Sequence, residues 1–198
     1  MASRLEARLA DGSARAGVVG LGYAGLPLAV EVARAGFSVV GIDTASETVR
    51  EINSGRCSVP DVDVHLLAEL VQSGQLRASS ECSELAACDA VSICVPTPLR
   101  KTKDPDLSSV LEASNALAKH LQPGMLVVLE STTYPGTTEE AVLPILAESG
   151  LRVGTDFFLC YSPERVDPAN PDHRTKDIPK IIGGVTPECL QMLSLIHI

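Results

Sequence analysis

From Val18 to Asp43 the chain reads Val-Val-Gly-Leu-Gly-Tyr-Ala-Gly-Leu-Pro-Leu-Ala-Val-Glu-Val-Ala-Arg-Ala-Gly-Phe-Ser-Val-Val-Gly-Ile-Asp. A bare Gly-x-Gly-x-x-Gly is a weak signal, because glycine-rich turns join strand to helix in many proteins. Here every flanking element stands in order. Ala16-Gly17-Val18-Val19 is apolar without alternation, as suits a parallel strand covered on both faces. Ala24, Leu28 and Val32 then recur at helical spacing. Pro27 falls in the first turn, where its missing N–H is tolerated, and Gly36 stands where a C-terminal cap belongs. Phe37 to Asp43 forms a second strand that ends in a carboxylate, 18 residues after Gly25. In such a unit Gly20 takes the tight turn off the strand, Gly22 lets backbone amides approach a pyrophosphate, and Gly25 lets the helix pack closely on the sheet. The phosphates sit at a helix N-terminus, where unpaired N–H groups favour negative charge. Asp43 is placed to accept hydrogen bonds from the adenosine ribose hydroxyls. A carboxylate there repels a 2′-phosphate, which selects NAD over NADP.

The rest of the chain agrees with an α/β organisation. Ala45–Ser54 and Asp63–Ser73 read as helices, Leu76–Ser79 as a short strand, Ser83–Cys88 as a helical turn and Ala90–Val95 as a buried strand cut off by Pro96 and Pro98. Leu107–His120 is helical, Leu126–Glu130 a strand, Thr138–Ser149 a further helix, and Asp156–Tyr161 and Pro179–Gly184 close the pattern. Strands alternating with helices predict a Rossmann-like, doubly wound parallel sheet with helices on both faces. Residues 1–15 are expected to be a polar, helical or frayed extension and 16–184 the dinucleotide-binding domain. Residues 185–198 are expected to open the following segment, in a chain truncated before its remaining domains and left with exposed apolar surface.

Composition excludes several roles. The 198 residues are 45% hydrophobic with a mean hydropathy of +0.18, a packed chain rather than a disordered one. No apolar run approaches the roughly 18 residues that a membrane helix needs, and the first residues lack a secretory apolar core, so a cytoplasmic location without a membrane partner is expected. The net charge of -9 argues against nucleic acid, whose phosphates need a basic face. The six cysteines include no C-x-x-C pair and no histidine at ligand spacing, so no metal is expected. Cys94 and Cys160 fall in apolar strands and read as core. His65 and His120 read as helix-surface residues and His173 as part of a polar loop.

Loops rich in hydroxyls and proline follow three of the strands: Pro96-Thr-Pro-Leu, Ser131-Thr-Thr-Tyr-Pro-Gly and Ser162-Pro-Glu-Arg. Such residues make ordinary turns, yet in an open α/β sheet the loops after successive strands gather at the ligand crevice. With these loops the chain resembles the N-terminal domain of the UDP-glucose/GDP-mannose dehydrogenase family, which oxidises the C6 alcohol of a nucleotide sugar to a carboxylate. The likeness runs from Gly17 to Gly184. It is carried by Gly-Leu-Gly-Tyr-Ala-Gly-Leu-Pro, Val95-Pro-Thr-Pro, Glu130-Ser-Thr and Ser162-Pro-Glu. Within the family, Thr133–Glu140 and Ser162–Pro168 are most similar to the UDP-N-acetylglucosamine 6-dehydrogenase branch.

The resemblance implies that Gly20, Leu21, Gly22, Tyr23, Ala24, Gly25 and Asp43 hold NAD, and that Thr97, Ser131 and Thr132 line its nicotinamide half. It implies Glu164 as the acid–base carboxylate and Thr132 as a group that places a water. Glu164, Arg165 and Lys180 would contact a UDP-sugar. It further implies a homo-oligomeric full-length enzyme of polysaccharide precursor synthesis, whose nucleophilic cysteine and companion lysine lie beyond residue 198. The fragment alone is expected to bind NAD without turnover. Arg50 stands one helical turn later than the arginine that often follows the ribose-binding acid in the family. Two other readings stay open here: a β-hydroxyacid type of NAD dehydrogenase, and a nucleotide-binding module without chemistry.

Overall fold

The computed structural model describes residues 2–101, 103–163 and 179–195. The elements run α1 (Ala2–Ala10), β1 (Arg15–Val19), α2 (Gly25–Arg34), β2 (Ser38–Ile42), α3 (Ser46–Asn53), α4 (Val64–Gln72), β3 (Leu76–Ser79) and β4 (Ala90–Ile93). After these come α5 (Ser108–Ala118), β5 (Leu126–Leu129), α6 (Leu143–Ala147), β6 (Phe158–Tyr161), β7 (Gly183–Gly184) and α7 (Pro187–Ser194). The seven strands form one sheet in the order β3-β2-β1-β4-β5-β6-β7. Pairing is parallel from β3 through β6. Strand order therefore reverses at β1 and β4, the point at which a doubly wound sheet opens a ligand crevice beyond its carboxyl ends.

Alternation along the strands divides the core. On one face Val18, Val39, Leu76 and Ala78 pack against Leu26, Ala29, Val30 and Ala33 of α2, Ile52 of α3 and Leu67 of α4. On the other, Val19, Val40, Val91, Ile93, Val127 and Leu129 pack against Val110 and Leu117 of α5 and Leu146 of α6. The helix starts follow local chemistry. The Asp63 side chain accepts the N–H groups of His65 and Leu66 to cap α4, and Thr186 caps α7 ahead of Pro187.

Three features depart from the sequence pattern. β7 runs antiparallel to β6, pairing Cys160 with Gly184 and Tyr161 with Gly183, so the sheet is parallel except at this edge. The backbone of α7 lies directly on that strand, because a Cβ on Gly184 would come within 2.2 Å of the Leu190 nitrogen. The helix expected over 138–149 begins as a wide π-type turn at Thr138–Val142 before α6. Pro144 explains this: it offers no N–H to the carbonyl of Glu140, and its ring crowds that carbonyl. Finally, Cys189, Met192 and Leu193 of α7 and Leu5 of α1 share one core with Leu126, Val128, Phe158 and Cys160. The packing unit thus runs on past residue 184 and takes in the N-terminal helix. Arg8 fastens that helix to Asp89 at 2.6 Å, and Asp89 also accepts the Arg15 amide at 2.8 Å.

Candidate cofactor site

The turn leaving β1 has the construction that a diphosphate requires. Gly20 has φ +90, a conformation that a side chain would strain, and its N–H donates to the Ile42 carbonyl at 2.8 Å. A Cβ on Gly25 would lie 1.8 Å from the Gly20 carbonyl oxygen, so glycine there is demanded by the protein's own packing. Gly22 is the contrasting case. A Cβ on it would meet no protein atom within 4 Å, and its backbone faces open space at the mouth of the crevice. Ala24 caps α2 without any side-chain hydrogen bond, and Leu26, bonded to the Gly22 carbonyl at 3.0 Å, opens the intrahelical ladder. The amides before it form an uncapped helix start, suited to an anion. Tyr23 stands exposed beside them.

Asp43 follows β2 and is held by two backbone donors. Its Oδ2 accepts the Leu21 N–H at 2.9 Å and its Oδ1 the Ala45 N–H at 2.9 Å. The carboxylate is thereby oriented next to the glycine turn before any ribose arrives, while each oxygen keeps a second lone pair for a hydroxyl. Leu21 itself is buried against Gly41, where a Cβ would come within 2.5 Å of it. Arg50 lies exposed on α3 with its Nε on the Ser46 carbonyl at 3.3 Å.

The loops after β4 and β5 are brought together as a second wall. The Thr97 hydroxyl donates to the Thr132 carbonyl at 2.7 Å, and the buried Ser131 hydroxyl donates to the Val95 carbonyl at 2.7 Å. Thr132 is left exposed at the rim. Glu164 and Arg165 lie outside the described residues, as does His173. Ser162, just before them, is buried, and its amide donates to the Leu129 carbonyl at 3.0 Å. Its hydroxyl is the buried side-chain oxygen that finds no hydrogen-bond partner among the described residues.

Lys180 has a different setting from that of an open substrate cation. Its ammonium pairs with Glu130, whose other oxygen accepts the Ser92 hydroxyl at 3.1 Å. Glu130 is buried and Lys180 half-buried, with side-chain exposures of 3% and 14%. Sequence reasoning gave Glu130 and Ser92 no role. One signal was available: a carboxylate that ends an all-apolar strand needs a buried partner. The cysteines expected in the core, Cys94 and Cys160, are buried. The Cys189 sulfur beside it and burial push the Cys160 thiol far above its ordinary range, as befits an inert group. Among the described residues no group of three His, Cys, Asp or Glu side chains is arranged to hold a metal. No helix among them is long and apolar enough to cross a membrane.

Fold and turn together define a dinucleotide-binding domain of the dehydrogenase type. The model of the UDP-glucose/GDP-mannose dehydrogenase family, NAD binding domain, matches residues 14–198, and the chain belongs to this family. Its cofactor is NAD. The chain is 41% identical over 181 residues to the UDP-N-acetyl-D-glucosamine 6-dehydrogenase of Pseudomonas aeruginosa, covering 91% of this chain and 42% of that protein. It is 37% identical over 185 residues to the UDP-N-acetyl-D-mannosamine dehydrogenase of Pyrococcus horikoshii, covering 92% of this chain and 44% of that one. The solved NDP-N-acetyl-D-galactosaminuronic acid dehydrogenase of Methanosarcina mazei superposes with a TM-score of 0.86 at 32% identity, over 98% of this chain and 44% of its own. The chain thus spans less than half the length of the relatives it matches.

Proposed function

We propose that this chain is the cofactor-binding part of an NAD-dependent UDP-sugar 6-dehydrogenase, which converts the C6 hydroxyl of the sugar to a carboxylate. The observation that carries the reading is the pre-oriented Asp43, locked by the Leu21 and Ala45 amides beside a glycine turn with open space at Gly22. Bound NAD supplies hydride acceptance, and alcohol-to-acid oxidation takes two such transfers and one water. The residues of this chain bind and orient. Gly20 to Gly25 receive the diphosphate, Asp43 grips the ribose, and Thr97, Ser131 and Thr132 border the nicotinamide end.

In this reading Glu164 takes and returns the proton of the reacting hydroxyl, Thr132 helps to place the water, and Arg165 meets the anionic sugar nucleotide. UDP-N-acetylglucosamine is the proposed sugar, supported by the relative with 41% identity and by the Thr133–Glu140 and Ser162–Pro168 segments. The enzyme is proposed to work in the cytoplasm as a homo-oligomer that supplies a polysaccharide precursor. Calorimetry of the chain with NAD, then with UDP-N-acetylglucosamine, combined with absorbance of NADH, tests this. The expected result is NAD binding without steady NADH formation by the chain alone, and UDP-sugar-dependent NADH formation by the longer enzyme that carries it. A longer enzyme that ignores UDP-sugars and oxidises a hydroxyacid would overturn the proposal.

A further inference from the structure

The turn from Glu130 to Thr132 is tethered at every residue, and the tethers are unequally distributed. Five come from β4 and the loop after it. The Ser92 hydroxyl donates to Glu130, and the Glu130 and Ser131 amides donate to the Ile93 carbonyl at 2.9 and 3.1 Å. The Ser131 hydroxyl donates to Val95, and the Thr97 hydroxyl donates to the Thr132 carbonyl. From the β7 side the side-chain tether is Lys180, which enters β7 and reaches across to Glu130. A buried ion pair is a weak device for stability, since apolar residues of like volume serve as well. Its geometric effect here is specific: it opposes a set of hydrogen bonds that all draw the turn toward β4.

We propose that Lys180 is a positioning residue for the nicotinamide end of the cofactor, acting through Glu130 to set where Thr132 stands. It therefore works from beneath the site, out of contact with the cofactor. The inference rests on the reading that Thr132 borders the nicotinamide half. Glu130→Gln/Lys180→Gln removes both charges and strands neither, and Lys180→Arg keeps the pair; both are checked for a native far-ultraviolet spectrum. Calorimetry then compares NAD with ADP-ribose, which lacks the nicotinamide ring.

In the double variant NAD affinity falls about fivefold, the worth of one hydrogen bond, while ADP-ribose affinity is unchanged, and Lys180→Arg retains NAD binding. Equal weakening of both ligands, or no weakening of either, overturns the positioning role and leaves the NAD site itself standing. Failure of the unaltered chain to bind either ligand overturns the cofactor site and this inference with it. If the double variant does not fold, Lys180→Gln takes its place: a loss of NAD affinity with ADP-ribose affinity unchanged supports the role, and equal weakening of both ligands, or of neither, overturns it.

Discussion

Two turns stand at the carboxyl ends of the sheet on either side of β4 and are made of different material. The turn between β1 and α2 is built from backbone: a glycine with φ +90, a Gly25 whose Cβ would stand 1.8 Å from the Gly20 carbonyl oxygen, amides, and one side chain, Asp43. The turn after β5 is built from side chains whose partners lie 35 to 50 residues away, Thr97 on Thr132 and Lys180 on Glu130. A site made of backbone writes itself into the sequence as glycines at fixed spacing. One made of distant side chains leaves no local trace, because topology alone chooses the partners.

The comparison can be broken most forcefully at Gly25. Gly25→Ala drives a methyl into the Gly20 carbonyl, and a loss of at least about 3 kcal/mol is expected in urea unfolding. Wild-type stability would mean that α2 does not pack on β1 as closely as described. In the second turn, Glu130→Ala removes the carboxylate that Lys180 pairs with and the acceptor of the Ser92 hydroxyl. The expected loss is about 2 to 3 kcal/mol, below that of a wholly enclosed pair because Lys180 keeps 14% exposure.

Gly22→Ala sharpens the contrast within the first turn. Its stability should change by no more than about 0.5 kcal/mol, since the new methyl meets nothing, while NAD affinity falls about tenfold. If Gly22→Ala binds NAD normally, the diphosphate does not approach there. The smallest effect belongs to the outer edge of the same half, where Arg77 of β3 pairs with Glu84. The hydrogen bond from Arg77 holds the Glu84 carboxyl below its ordinary 4.5. The folded group thus releases its proton more readily than the unfolded one, so its contribution is complete above pH 4.5 and fades as pH falls through the lower folded value. With Arg77 53% exposed, that contribution is under about 1 kcal/mol, and Glu84→Gln should flatten the acid limb of the stability curve by no more than this.

Much of the fold was legible for the same reason as the first turn. Leu76–Ser79 matches its predicted strand, Asp63 caps the helix it was read to begin, and Gly36, with φ +103, follows α2 as a cap glycine. The antiparallel β7 was not legible, because the direction of a short strand at an edge depends on how the chain returns and not on its own residues. The π-type turn before Pro144 was half visible: proline announces a disturbed helix, but whether the turn widens or breaks is decided by packing. Glu130 was read as part of a motif and Lys180 as a cation for substrate, and only the sheet order, which sets β6 between β5 and β7, brings them together.

The most direct test of the central claim is calorimetric titration of the chain and its Asp43→Ala variant with NAD and NADP. The chain should bind one NAD and prefer it to NADP by about tenfold or more, and Asp43→Ala should lose about tenfold in NAD affinity and most of that preference. Unchanged NAD affinity in Asp43→Ala would contradict the account.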